Sequence, residues 1–223
     1  MSDTRSDARS DAHHDPEEHD HEGVKPSAEA TYYAARIRAI EALLVEKGVL
    51  TREDVKRQIE YMEARSPSNG ARLVARAWID PEFKARLLSD TKSAAAELGI
   101  DASGPVEFVT VENTPEVHNI IVCTLCSCYP RAILGRPPDW YKSFSYRSRA
   151  VNEPRVIMRE FGLEISDDVE VAVHDSSADV RYLVLPMRPP DTEGMDEEDL
   201  TKLVTRDCLI GAATPRYKAV RTG

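Results

Sequence analysis

Val122-Cys123-Thr124-Leu125-Cys126-Ser127-Cys128-Tyr129-Pro130 places three of the chain's four cysteines within six positions, after a β-like run and before a proline. A redox pair needs only Cys123 and Cys126 and leaves Cys128 unexplained. A structural zinc site wants a fourth ligand, for which His118, His174 and Cys208 are the candidates, yet such sites usually pair two separated two-ligand knuckles. An iron–sulfur cluster normally calls on four cysteines. Three sulfurs from so short a loop must wrap tightly around one ion and carry the intervening main chain with them. The amide nitrogens of Ser127 and Cys128 then lie where they can become ligands, deprotonated against a highly charged ion. Three sulfurs and two nitrogens leave one octahedral position open, the mark of a catalytic rather than a structural metal.

Outward from this loop, the C-terminal half mixes strands and helices. Val106 to Val111 and Asn119 to Val122 read as strands joined by the Asn113-Thr114-Pro115 turn. Gly135-Arg136-Pro137-Pro138 forces an extended turn, and Trp140 to Phe161 has helical spacing interrupted at Pro154. Val169 to His174 and Arg181 to Pro186 read as further strands, and Glu197 to Val204 as a late helix. This order predicts an α+β domain with an antiparallel or mixed sheet.

The preceding half is helical. Tyr33, Ile37, Ile40, Leu43 and Leu44 recur at three- and four-residue spacing until Gly48, and Thr51 begins a second helix that ends at Ser66-Pro67. A third helix is expected from Asn69-Gly70, and a fourth from Asp80-Pro81 towards Leu98-Gly99. The aromatics of this half, Tyr32, Tyr33, Trp78 and Phe83, read as packing residues. The division is 1–26, a disordered acidic His-rich tail; 27–103, a helical arm; and 104–223, the metal-binding catalytic domain. The first 22 residues carry eight acidic side chains and His13, His14, His19 and His21. They bury too little to offset ordering entropy. They read most simply as a solubilising tail, with weak cation gathering as the sharper alternative.

With 29 basic against 39 acidic residues, the formal charge of −10 argues against a nucleic-acid backbone as partner. No apolar run approaches a membrane span, and the start lacks the pattern of a secretory signal, so the expected location is cytoplasmic.

The loop and its flanks resemble the nitrile hydratase α subunit family of the cobalt type, and its relative, the γ subunit of thiocyanate hydrolase. The likeness extends over Glu112-Asn113-Thr114-Pro115-Glu116-Val117-His118-Asn119, Leu134-Gly135-Arg136-Pro137-Pro138-Asp139-Trp140-Tyr141-Lys142, Tyr146-Arg147-Ser148-Arg149, Asp175-Ser176-Ser177 and Val204-Thr205-Arg206-Asp207. It covers residues 30 to 212. The resemblance implies a layered α-β-β-α catalytic domain behind a helical arm that embraces a partner. It also implies one Co(III) per chain, held by Cys123, Cys126, Cys128 and the amides of Ser127 and Cys128. Cys126 is then a sulfinate and Cys128 a sulfenate. Thr124 follows the first cysteine as in cobalt forms, where iron forms have Ser. The implied reaction is hydration of a nitrile to the amide, with attack by a metal-activated water or by the Cys128 sulfenate oxygen. Ser127 and Tyr129 hydroxyls support the cage. The implied partners are a β-type subunit, supplying two arginines to the oxidised cysteines, and a cobalt-inserting activator.

Two departures from the nitrile hydratase pattern stand out. Tyr129-Pro130-Arg131-Ala132 replaces the usual Tyr-Pro-Trp-Pro, and Cys208-Leu209 stands where Ser-Met is common. Both lean towards thiocyanate hydrolase, and a cation at Arg131 suits an anionic substrate. Its plainer reading is a salt-bridge residue. Nitrile hydratase is the preferred reading, hydrolysis of thiocyanate to carbonyl sulfide and ammonia the runner-up, and a non-enzymatic cobalt carrier the third.

Overall fold

The computed structural model describes residues 28–217; the acidic tail assigned to 1–26 lies outside them. The chain opens with α1 (Ala28–Glu46) and α2 (Arg52–Glu63). Thr51 starts α2 through a capping box: its hydroxyl accepts from Asp54 N at 3.1 Å, and its own N–H donates to the Asp54 carboxylate at 2.8 Å. No described residue of either helix is buried. Tyr32 and Tyr33, expected to pack, stand more than half exposed, because no described residue covers the stripe they share with Ile37, Ile40 and Leu43.

Burial begins with α3 (Pro67–Ile79), which starts two residues before the expected Asn69 because Pro67 occupies the first helical turn, where its missing N–H costs nothing. The single helix expected after Asp80 is two, α4 (Pro81–Ser89) and α5 (Thr91–Glu97). Asp90 divides them, its carboxylate capping Ser93 N at 3.0 Å. Then come β1 (Glu107–Glu112), β2 (Val117–Val122), α6 (Arg131–Leu134), α7 (Asp139–Lys142), α8 (Phe144–Asn152) and α9 (Pro154–Glu160). The chain closes with β3 (Glu170–Asp175), β4 (Val180–Leu185), α10 (Glu197–Lys202) and α11 (Arg206–Ile210).

The expectation of an antiparallel or mixed sheet is corrected. Two separate two-stranded sheets form, and both are parallel: β1 with β4, running from Glu107↔Val180 to Glu112↔Leu185, and β2 with β3, from Val117↔Glu170 to Val122↔Asp175. Neither short connection, Asn113 to Glu116 or Ser176 to Asp179, makes a hairpin. Each carries the chain from one sheet to the other instead. The physical reason lies in β2, where five consecutive residues from His118 to Val122 are buried. A strand covered on both faces suits a layered parallel arrangement, not a half-wet hairpin.

The layers follow. Helices α4 and α5 cover β1, the β1·β4 sheet lies on the β2·β3 sheet, and α8 and α9 cover the far side. The α+β class and its α-β-β-α layering are therefore as expected. α11 touches both sheets, and α3 packs against α6, α10 and α11. One hydrophobic core runs through this body, from Leu73, Phe83 and Leu87 to Ile120, Tyr141 and Met158, and is continuous across residue 104.

At the base of β2, α11 ends at Gly211 in the left-handed region (φ +90). A Cβ there would meet Asn119 O at 2.0 Å and Ile120 Cα at 2.8 Å, so only glycine allows this approach. The Gly211 carbonyl can only accept; His118 Nε2 therefore carries the proton in their 2.8 Å bond, and Nδ1 faces the Asn113 amide at 3.2 Å. Asn119 completes the network, its amide N–H donating to Asn113 Oδ1 and its Oδ1 accepting from His174 Nε2 at 2.7 Å. Burial lowers the pKa of both histidines. Among the described residues no helix is long and apolar enough to cross a membrane.

Candidate metal centre

β2 delivers Cys123 into the structure and stops there. Cys123 is buried, Cys128 half-buried and Cys126 exposed, and all three are free thiols. Their sulfurs converge: Cys126 Sγ lies 3.4 Å from Cys123 Sγ and 3.1 Å from Cys128 Sγ, and all three lie within 4.8 Å of one another. Cys126 N–H points back to the Cys123 sulfur at 3.3 Å.

The electrostatics are those of a thiol cluster ready to lose protons. Cys126 is drawn down to about 7 by hydrogen bonding from the Cys128 thiol, then from Cys123, with the main-chain N–H groups of Cys128 and Ser127 adding to it. Cys128 is pushed up to about 12 by burial and by giving its hydrogen bond to Cys126. Of the two, Cys126 at the centre of the loop loses its proton more readily. Thiolates are the soft donors that hold transition metals, and three convergent sulfurs, with the main-chain N–H groups of Ser127 and Cys128 directed to Cys126, make a donor set that fits such an ion.

Four contacts hold the loop's main chain. The Asp175 carboxylate, at the end of β3, accepts from Thr124 N at 2.9 Å and from Thr124 Oγ1 at 2.6 Å. Arg147, on α8, donates to Thr124 O at 3.2 Å. Tyr146 Oη donates to Ile121 O at 2.6 Å, and Tyr141 Oη to Cys128 O at 2.8 Å. Burial raises the pKa of both phenols, so they remain protonated donors. Residue pattern alone did not single out these four side chains; the resemblance touched them only as parts of longer matching flanks.

The other residues picked out by sequence fall in several places. Ser127 is exposed beside the sulfurs. The Tyr129 hydroxyl is buried without a hydrogen-bond partner among the described residues, its ring packed edge-on against Tyr141 at 5.1 Å. Arg131 opens α6, is exposed, and makes no side-chain hydrogen bond or ion pair among the described residues. The three candidates for a fourth zinc ligand stay apart from the cluster: His118 and His174 are engaged with Gly211 and Asn119, and Cys208 is buried against Thr205. Leu125, at the tip of the loop, is 88% exposed.

Residues 31–213 match the family model described as nitrile hydratase, alpha chain. The alpha subunit of the low-molecular weight cobalt-containing nitrile hydratase of Rhodococcus rhodochrous is 51% identical over 183 residues, spanning 82% of this chain and 88% of that one. The gamma subunit of thiocyanate hydrolase from Thiobacillus thioparus is 42% identical over 189 residues, spanning 80% and 78%. A solved Fe-type nitrile hydratase from Comamonas testosteroni Ni1 superposes with a TM-score of 0.76 at 40% identity, covering 86% of this chain and 98% of that one. Matched along most of its length in sequence and in fold, the chain belongs to the nitrile hydratase alpha chain family.

Proposed function

We propose that this chain is the metal-bearing α-type subunit of a cobalt nitrile hydratase, adding water across a nitrile to give the amide. The observation that carries the reading is the convergence of three free thiols in a chain of this family; the Ser127 and Cys128 amides complete the proposed donor set. These five groups hold one Co(III) per chain. Thr124 and the cobalt-containing relative favour cobalt over iron. When bound, the trivalent ion supplies the Lewis acidity that makes a nitrile carbon electrophilic.

The chain's own residues do the rest. Cys126 carries a sulfinate and Cys128 a sulfenate, formed after translation by an external oxidant of the dioxygen or peroxide class. Water, or the Cys128 sulfenate oxygen with water replacing it, attacks the nitrile carbon, and both protons of the one water consumed end on the amide nitrogen. Ser127, exposed beside the sulfurs, lines the open face at Cys128, and Tyr129, packed into the core, supports the loop from behind. Arg131, three residues from Cys128 and without an ion-pair partner among the described residues, binds the polar end of the substrate.

The site is incomplete in one chain. Oxidised sulfurs carry negative oxygens, and the β-type subunit compensates them with arginines at the exposed Cys126 face. The stripe of α1 and α2 left exposed among the described residues is the part that grips that subunit; of the arm expected over 27–103, α3 to α5 share the core of the catalytic domain expected over 104–223. A cobalt-inserting activator loads the site in the cytoplasm.

One observation favours a second reading: the exposed Arg131 guanidinium, alongside the thiocyanate hydrolase relative, suits an anionic substrate. The assay separates the readings. Purified with its partner, the protein is expected to convert an organic nitrile to amide without ammonia. Ammonia and carbonyl sulfide from thiocyanate establish the second reading instead. Neither activity at full cobalt loading points to a carrier.

A further inference from the structure

The metal loop runs between two carbonyls, Ile121 O before Cys123 and Cys128 O at its end, and a buried phenol holds each one. In β2, alternate carbonyls face β3: Val122 O accepts from Ser176 N. Ile121 O therefore points to the free edge of the strand, where Tyr146 is its donor. Tyr141 and Tyr146 are neighbours, with ring centroids 5.6 Å apart. Trp140 packs on Tyr146 at 4.8 Å and Phe161 on Trp140 at 4.6 Å, while Tyr129 closes on Tyr141. Both phenolic residues are almost wholly buried. Their rings cannot drift without moving this whole cluster, so the separation of the two hydroxyls fixes the separation of the loop's two ends.

We propose that Tyr141 and Tyr146 are positioning residues of the metal centre, a two-point aromatic brace that sets the loop's span and so the angle at which the Cys128 sulfur and its neighbouring amide meet the ion. They touch neither substrate nor sulfur and act through the main chain. Groups one step removed from a metal commonly change its retention or turnover by 10- to 100-fold, and a site loosened by under an ångström loses its chemistry.

The test uses the complex purified with its partner. Tyr141→Phe and Tyr146→Phe each keep the ring and remove one donor. Thr91→Val is the matched control: it removes buried side-chain hydrogen bonds away from the loop, the 2.8 Å contact with Thr110 that joins α5 to β1 and the 3.1 Å bond to Leu87 O. Cobalt per chain, the visible sulfur-to-metal charge-transfer band and turnover per bound cobalt are compared. Each Phe variant is expected to move the band and lower turnover per cobalt about tenfold, while Thr91→Val shows the wild-type band and turnover at a comparable loss of thermal stability. A wild-type band and turnover in a folded, loaded Phe variant overturn the proposal, and so does the same band shift in Thr91→Val. Where one Phe variant gives no folded complex, the other decides. The inference rests on the loop being a metal centre, and the two fail differently: wild-type protein without bound metal defeats the metal reading, whereas Phe variants that bind metal with the wild-type band and turnover defeat only the brace.

Discussion

Among the described glycines, Gly211 is where an added Cβ would meet neighbouring main chain most closely, and replacing it with alanine isolates that approach. Two effects add. At φ +90 an L-residue pays left-handed strain of about 1–2 kcal/mol. Its Cβ would also sit 2.0 Å from Asn119 O and 2.8 Å from Ile120 Cα. Both are main-chain atoms of β2, which has no rotamer to escape into. Either α11 or β2 must move, at a cost typical of overpacking, about 1–3 kcal/mol. The sum, about 2–5 kcal/mol, lowers Tm by about 5–15 °C for a domain of this size. Gly99→Ala is the control: its φ of +71 imposes the same strain, but nothing lies within 4 Å of the added carbon. Thermal unfolding of both variants by circular dichroism, at equal concentration of the same complex, gives the comparison. Gly211→Ala is expected to melt well below Gly99→Ala. Melting points within about 2 °C of each other would refute the claim that α11 is seated tightly on β2.

Three further outcomes are expected. Asp175→Ala frees Thr124 N and Oγ1 and is expected to lower cobalt retention or turnover about 10-fold or more with little change in Tm, read by elemental analysis and calorimetry; unchanged cobalt and turnover count against Asp175 holding the loop. His118 and His174 have pKa values lowered by burial from 6.5, so the unfolded chain binds more protons below that pH, and stability should be complete above about 6.5 and fall as pH drops through the folded-state values; denaturant unfolding that stays flat from pH 7 to about 5 would contradict it. Ile37→Glu, on the α1 stripe where Ile37 is 66% exposed, should leave the chain folded and weaken its complex with the β-type subunit, seen by size-exclusion chromatography; an intact complex would place the interface elsewhere.

How much of this was legible depends on the reach of each signal. Amphipathic spacing marked α1, and Thr51 marked the start of α2, because capping and periodicity are local. Pro67 and Asp90 moved or split helices for equally local reasons, through a proline's missing N–H and a cap. α6 and α11, with 4 and 5 residues, are too short for any periodic window. Strand positions were found to within about two residues, but strand partners were not, since a parallel pair such as β1 and β4 is set by burial across the whole domain. The site divides in the same way. Thiol spacing reveals the metal loop at once, and the family likeness names it. The groups that hold it lie 13, 25 and 51 residues away as Tyr141, Tyr146 and Asp175, and only the folded chain brings them to the Cys128, Ile121 and Thr124 main chain. Tyr129 illustrates the converse: its place beside Cys128 suggested a hydroxyl bonded to the cage, and the folded ring is turned into the core.

X-ray absorption at the cobalt edge of the purified complex tests the central claim most directly. Three sulfur neighbours, from Cys123, Cys126 and Cys128, together with lighter nitrogen or oxygen donors around one cobalt per chain, are the predicted result. Cobalt surrounded only by nitrogen and oxygen, or a chain loaded with zinc in its place, would contradict it.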